Sequence, residues 1–110
     1  MRVSKAQTAL PIPVRRSLRK LGADISAARK QRGITSALLA SRAFINRKSL
    51  TRVERGDAGV SMGIYASVLF ALGVGDGLGA LLDNDHVGQA LADDMLPKRV
   101  RPAESVYSGD

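Results

Sequence analysis

Helix-capping residues and glycines divide this chain into short segments, and that division constrains its fold more than any other feature. Thr35, Asn46 and Ser61 are residue types that begin helices, because their side-chain oxygens accept hydrogen bonds from backbone N–H groups two or three residues later. Glycine ends helices, because it readily adopts the left-handed conformation that follows a last helical turn. The glycines at these segment ends are Gly33, Gly56 and Gly73. The pattern predicts a set of short packed helices.

Apolar residues recur at steps of three or four within these segments, which is the spacing of one helix face. The predicted helices cover residues 16–32, 35–42, 46–56 and 61–73. A fifth helix is expected from Asp76, and a weaker one over residues 85–95, before Pro97. We expect a flexible basic arm at 1–14, one domain at 15–83, and a helix with a tail at 84–110. Inward-facing residues are expected at Leu18, Leu21, Ile25 and Ala28 in the first helix, and at Tyr65, Val68, Leu69 and Leu72 in the fourth.

Composition favours one modest helical core. The chain has 110 residues, of which 45% are hydrophobic and only 4% aromatic, so the core consists mainly of aliphatic side chains. The absence of cysteine excludes disulfides and thiolate metal sites, and we expect no metal and no other cofactor. The longest apolar run, residues 64–82, contains four glycines and Asp76, which favours a helix, a turn and a second helix over a membrane span. We expect a soluble cytoplasmic protein.

Charge is distributed unevenly along the chain. Residues 1–60 hold 14 Lys and Arg against three acidic residues, whereas residues 61–96 hold five aspartates and no Lys or Arg. A basic half can bind a polyanion, because each neutralised phosphate releases counterions. The alternative is a basic surface that is merely solvated.

Residues 35–56 carry the pattern of two short helices joined by a tight turn. Such helices cross steeply, which requires a small residue at the crossing, and Ala40 lies there. Apolar residues suited to the buried contacts around the turn are Leu39, Ala43, Ile45, Leu50 and Val53. Because the outward positions of the second helix are polar or cationic, the pattern predicts a DNA-binding helix-turn-helix. A generic helical hairpin is the alternative.

These residues resemble the XRE, or phage-repressor, family over positions 22–82. The matching positions are Gly33, Thr35, Leu39-Ala40, Val53-Glu54-Arg55-Gly56 and Ala71-Leu72-Gly73. The resemblance implies an all-α, compact five-helix lambda-repressor-like domain with a basic N-terminal arm and a C-terminal extension containing one short helix. Residues 43–72 and the tail at 96–101 are similar to HipB-like antitoxins, which repress their own operon and bind a HipA-type serine/threonine kinase toxin.

The resemblance implies roles for individual side chains. The start of the third helix would enter the major groove of double-stranded DNA. Expected base contacts are Arg47, Lys48, Ser49, Thr51 and Arg52; expected phosphate contacts are Ser36, Arg42, Asn46 and Arg55. Glu54 would form a structural salt bridge with Arg29. A homodimer on a palindromic operator is also implied, with Leu78, Leu81 and Leu82 as candidate contacts.

Two positions depart from the family pattern. Ser36 replaces the glutamine that usually begins the second helix, and its side chain reaches less far toward a phosphate. Phe44 replaces the usual turn glycine at a position that often has a positive φ. Either the turn is re-formed or the strain is tolerated.

Three other functions compete with an operon-repressing antitoxin. An enzyme is not expected, because His86 has no Cys or second His beside it and no glycine-rich phosphate loop follows a strand. A protein-interaction module would inhibit a kinase as its main task, through the acidic segment at 76–94 or the basic tail. A stand-alone XRE regulator would have no toxin partner.

Overall fold

The computed structural model describes residues 9–95, and every regular element within that range is helical. The α-helices are α1 (Ile12–Gln31), α2 (Ser36–Arg42), α3 (Arg47–Glu54), α4 (Met62–Ala71) and α5 (His86–Met95), and a single 3₁₀ turn covers Leu78–Ala80. Helix α3 packs against both α1 and α2, and α4 packs against α2. The all-α prediction is confirmed for the described residues.

The three predicted N-caps are confirmed. Each cap side chain accepts a hydrogen bond from the backbone N–H three residues later, which satisfies one of the donors left free at a helix start. The pairs are Thr35 with Leu38 at 3.0 Å, Asn46 with Ser49 at 2.7 Å, and Ser61 with Ile64 at 3.2 Å. These caps set the starts of α2, α3 and α4.

Helix α1 begins at Ile12, four residues before the predicted start. Pro11 is its N-cap residue and Pro13 lies in its first turn. Proline lacks an N–H, but first-turn N–H groups have no acceptor within the helix, so proline is tolerated there. Residues 12–14 therefore belong to the helix and not to the expected flexible arm, and residues 1–8 lie outside the described part of the chain.

The expected fifth helix from Asp76 is wrong, because residues 76–84 contain only the 3₁₀ turn Leu78–Ala80. Gly77 and Gly79 lie within the expected helix, and each disfavours it by up to about 1 kcal/mol relative to alanine. The following helix, α5, does form, and the Asp85 carboxylate accepts the Gly88 N–H at its start, at 3.0 Å. Pro97 lies outside the described residues.

The core lies where α1, α2, α3 and α4 meet. Its buried residues are Ile25, Leu39, Ala40, Ala43, Leu50, Val53, Val60, Tyr65, Val68 and Leu72. Leu21, Ala28, Ile45 and Leu69 are partly buried against this cluster. The apolar residues predicted around the α2–α3 turn therefore pack inward, and they fix α3 on one side.

The chain divides into two compact units, residues 1–80 and 81–110. The first unit contains α1 to α4 and the core. The second contains α5, which has no buried residue. The predicted boundary after residue 83 lies three residues beyond this division.

No helix within residues 9–95 has both the length and the apolar character that crossing a membrane requires.

Candidate functional site

Residues 43–46 join α2 to α3 in a tight turn. The Ile45 N–H donates to the Ala40 carbonyl at 3.0 Å, and the Phe44 N–H donates to the Ser41 carbonyl at 3.1 Å. This pair of bonds is a Schellman motif, which requires a left-handed residue after the helix. Phe44 takes that conformation, with φ of 59°. The turn is therefore formed as in a glycine-containing sequence, with the strain tolerated.

An ion pair fixes the inner side of α3 to α1. The Arg29 Nε lies 2.8 Å from Glu54 Oε2, and Arg29 Nη2 donates to Glu54 Oε1 at 3.3 Å. Their side chains are only 13% and 15% exposed. Arg29 Nη1 also donates to the Ile34 carbonyl at 3.2 Å. The pair expected from the resemblance is present, and its two-point geometry orients α3.

A close backbone contact between α1 and the end of α3 was not predicted. A Cβ atom placed on Gly22 would lie 2.6 Å from the Gly56 nitrogen and 2.7 Å from the Glu54 carbonyl oxygen. Only glycine at position 22 allows this approach. The sequence does carry one signal for this contact. Glycine disfavours helices, and yet Gly22 lies in the middle of α1.

Arg52 and the loop after α3 form a second polar cluster. Arg52 Nε lies 2.8 Å from Asp57 Oδ2, and Asp57 Oδ1 accepts the Gly59 N–H at 2.7 Å. The Tyr65 hydroxyl donates to the Asp57 carbonyl at 2.8 Å. The Arg52 hydrogen bond, followed by that of the Gly59 N–H, lowers the pKa of the Asp57 carboxyl below its ordinary value. Arg52, predicted as a base contact, is thus paired with this loop.

The outer side of α3 carries exposed cations at its first turn. Arg47 and Lys48 are both exposed, and within residues 9–95 neither side chain has an ion-pair partner. Of the other predicted base contacts, Thr51 is exposed and its hydroxyl donates to the Arg47 carbonyl at 3.1 Å, whereas Ser49 is half-buried. The start of α3 is therefore the part of this helix that is available to a ligand.

The predicted phosphate contacts lie around both short helices. Ser36 is the first residue of α2 and is half-buried, and Arg42 is its last residue and is exposed. Asn46 and Arg55 flank α3 on its two ends and are exposed. Residues 35–53 contain four Lys and Arg and no acidic residue. Glu54, the one acidic residue of α3, is paired with Arg29, so the net charge of the α2–α3 segment is positive.

The three leucines expected to form a dimer contact differ in exposure. Leu78 is half-buried and lines a cavity of about 240 Å³ together with Leu18, Tyr65 and Leu69. Leu81 and Leu82 are 74% and 78% exposed. Only the latter two present most of their apolar surface to solvent.

No protein-family model, no curated protein and no solved structure matches the chain. The geometry and charge of the α2–α3 segment are therefore the observations that bear on function.

Proposed function

We propose that this chain binds double-stranded DNA sequence-specifically and represses transcription, with α3 as its recognition helix. The observation that carries the proposal is the two-sided character of α3. Its buried side holds Leu50 and Val53 in the core, while Arg47 and Lys48 extend into solvent from its first turn. A single helix fits the major groove of B-DNA, and the start of α3 would enter it.

The side chains divide into base-reading and phosphate-binding groups. Arg47 and Lys48 can donate to O6 and N7 of guanine, which contributes about 1–3 kcal/mol of discrimination for each good contact. Arg42, Asn46, Arg55 and Ser36 would bind phosphates and set the position of α3 on the duplex. Arg52 acts in this proposal as a positioning residue, because Asp57 holds its guanidinium.

Contacts with α1 hold the proposed recognition helix, α3, in place in the absence of DNA. The Arg29–Glu54 ion pair and the contact of Gly22 with the end of α3 hold it against α1. DNA binding therefore costs little conformational entropy on the inner side of α3. More of the interaction free energy can then discriminate between DNA sequences.

Selection of duplexes from a randomised pool tests the proposal. The full-length protein should enrich a defined sequence. Arg47→Ala and Lys48→Ala should relax base preference within that sequence, because each removes a donor to base edges. Lys30→Ala is the matched control, since Lys30 is an exposed cation on α1, and its preference should equal that of the wild type. Failure of the wild type to enrich any sequence would refute the proposal, as would unchanged preference in both α3 variants.

We further propose that the repressor is the antitoxin of a HipA-type kinase, the role that the sequence resemblance of residues 43–72 and of the tail at 96–101 to HipB-like antitoxins implies. A stand-alone regulator of the XRE type is the alternative. The neighbouring reading frame distinguishes the two roles. An antitoxin is expected beside a gene for a kinase-like protein, and a stand-alone regulator is not. Co-expression of that protein with this chain should yield a stable complex whose kinase is inhibited. Independent purification of the two proteins would favour the stand-alone regulator.

A further inference from the structure

Helix α1 carries a group of arginines on the side that faces the end of α3. Residues seven apart lie on the same side of a helix, two turns from each other. Arg15, Gly22 and Arg29 have this spacing, and the latter two contact the last turn of α3 and its end. Arg19 follows Arg15 by one turn. The first part of α1 therefore directs two arginines toward the loop that follows α3.

A cavity lies between these arginines and that loop. Its volume is about 360 Å³, and its lining includes Arg15, Arg19, Leu18 and loop residues 56–59. The backbone of Leu18 also passes close to the loop, and a Cβ on Gly56 would overlap the Leu18 carbonyl oxygen. The close approach of the two backbones fixes the position of the arginines beside the loop.

The groups around this cavity suit an anion. The Arg19 guanidinium supplies several N–H donors, and the Ala58 N–H has no hydrogen-bond partner within residues 9–95. The one carboxylate at the cavity, that of Asp57, is already paired with Arg52 and with the Gly59 N–H. Arg19 therefore contributes positive charge to the cavity, and Ala58 contributes a backbone donor.

We propose that Arg19, with the loop at 56–59, binds one backbone phosphate of the duplex that α3 reads. This inference rests on the proposed function. Arg55, an exposed cation, lies in the chain between the end of α3 and this loop. Guanidinium groups bind phosphate with two parallel hydrogen bonds, so the contact extends the DNA footprint beyond the recognition helix.

A salt titration of DNA affinity tests the phosphate site, using the full-length chain and the duplex that the wild type enriches. Each phosphate contact contributes about 0.9 to the slope of log affinity against log salt concentration. Arg19→Ala should make the slope shallower by about that amount and leave base preference unchanged. Arg19→Lys should restore most of the slope, because it retains the charge. Arg16→Ala is the matched control, since Arg16 is an exposed neighbour on α1 that does not line the cavity.

Phosphate-ethylation interference supplies a second readout. On the wild-type protein, ethylation of one phosphate outside the α3 contacts should block binding, and on Arg19→Ala that block should disappear. Equal slopes for Arg19→Ala and wild type would overturn the inference, and so would equal losses for Arg19→Ala and Arg16→Ala. In both cases the Arg47→Ala effect on base preference would persist and the proposed function would stand. If the wild type bound no duplex, both the phosphate site and the proposed function would be refuted.

Discussion

Phe44 adopts a backbone conformation that is costly for an L-residue, and its side chain takes no part in the core. Its φ is 59° and its side chain is 95% exposed. The three other helix ends with the same hydrogen-bond pattern have Gly33, Gly56 and Gly73 at this position. Left-handed backbone costs a residue with a Cβ about 1–2 kcal/mol, so this turn retains strain that the other three avoid.

Replacing Phe44 by glycine should therefore stabilise the fold. We expect Phe44→Gly to raise the free energy of unfolding by about 1 kcal/mol, since part of the relieved strain is offset by the greater freedom of glycine in the unfolded chain. Urea denaturation followed by circular dichroism measures this change. Phe44→Ala is the control, because it removes the aromatic ring and keeps the Cβ. An equal gain in both variants would show that the ring, and not the backbone angle, limits stability.

Asp57 makes the stability of the loop after α3 sensitive to acid. Its pKa in the folded protein is lowered mainly by the hydrogen bond from Arg52. A carboxyl with a lowered folded pKa stabilises the fold above its unfolded pKa, about 3.9, and this contribution is lost as pH falls through the folded value. The stabilising contribution of Asp57 should therefore be complete near neutral pH and should decline below about pH 4.

The melting temperature of Asp57→Asn should vary less with pH than that of the wild type below about pH 4. Thermal melts between neutral and strongly acidic pH measure this difference. Asp24→Asn is the matched control, because Asp24 pairs with Lys20 on the exposed surface of α1, where solvent screens the interaction. It should keep the wild-type pH dependence. Parallel curves for Asp57→Asn and wild type would contradict the structural role of this carboxylate.

At the scale of elements, α1 and α3 meet without an intervening side chain. A methyl group at position 22 would overlap the backbone of residues 53–56. Overpacking of this kind typically costs about 1–3 kcal/mol, and backbone atoms cannot move aside as a flexible side chain can. The contact therefore depends on glycine.

We expect Gly22→Ala to lower the free energy of unfolding by at least about 2 kcal/mol and to weaken DNA binding by displacing α3. Chemical denaturation and the duplex-binding assay measure the two effects. Gly63→Ala is the control, because a Cβ there would meet only the Ser61 hydroxyl, at 3.8 Å. Its stability should equal or exceed that of the wild type, since alanine favours helices. A Gly22→Ala protein as stable as the control would show that α1 and α3 can separate without cost.

The elements that sequence predicted well have strong local signals. Thr35, Asn46 and Ser61 cap helices through hydrogen bonds to residues only three positions away, so their effect is visible in a short window. The start of α1 was missed because proline marks both loops and first helical turns. The fifth helix was predicted from leucine spacing, but Gly77 and Gly79 within it outweigh that pattern.

The candidate site was predicted about as well as the fold: local features were found, and contacts between distant residues were not. The exposure of Arg47 and Lys48 was predictable from the short helix that carries them. Its N-cap sets where α3 begins, and its two inward residues set which side faces the core. The pairing of Arg52 with Asp57 was not foreseen, because it forms only once the chain turns after Gly56. The contact of Gly22 with the end of α3 joins residues more than 30 positions apart, and no local pattern reports it.

At the scale of the whole molecule, a single recognition helix reads too few base pairs for a specific operator, and we expect a homodimer. Leu81 and Leu82 are adjacent and mostly exposed, which is the kind of apolar surface that a protein interface covers. Light scattering at micromolar concentration should give twice the chain mass of 11.7 kDa. The double variant Leu81→Ser, Leu82→Ser should give the monomer mass and weaker DNA binding.

Met62→Ser is the matched control, because Met62 is 73% exposed on α4, away from the two leucines in sequence. It should remain dimeric. A wild-type protein that is monomeric at tens of micromolar, or a double variant that keeps the dimer mass, would contradict the assignment of the interface to Leu81 and Leu82.

The direct contact of Gly22 with the backbone at the end of α3 has a mechanical consequence. With no flexible side chain between them to absorb movement, α1 and α3 shift together. Helix α1 has 20 residues and is about 30 Å long, so a small tilt at its far end re-aims the first turn of α3. If α3 is the recognition helix, substitutions or binding events on the parts of α1 that do not contact DNA would thus alter the affinity for the duplex.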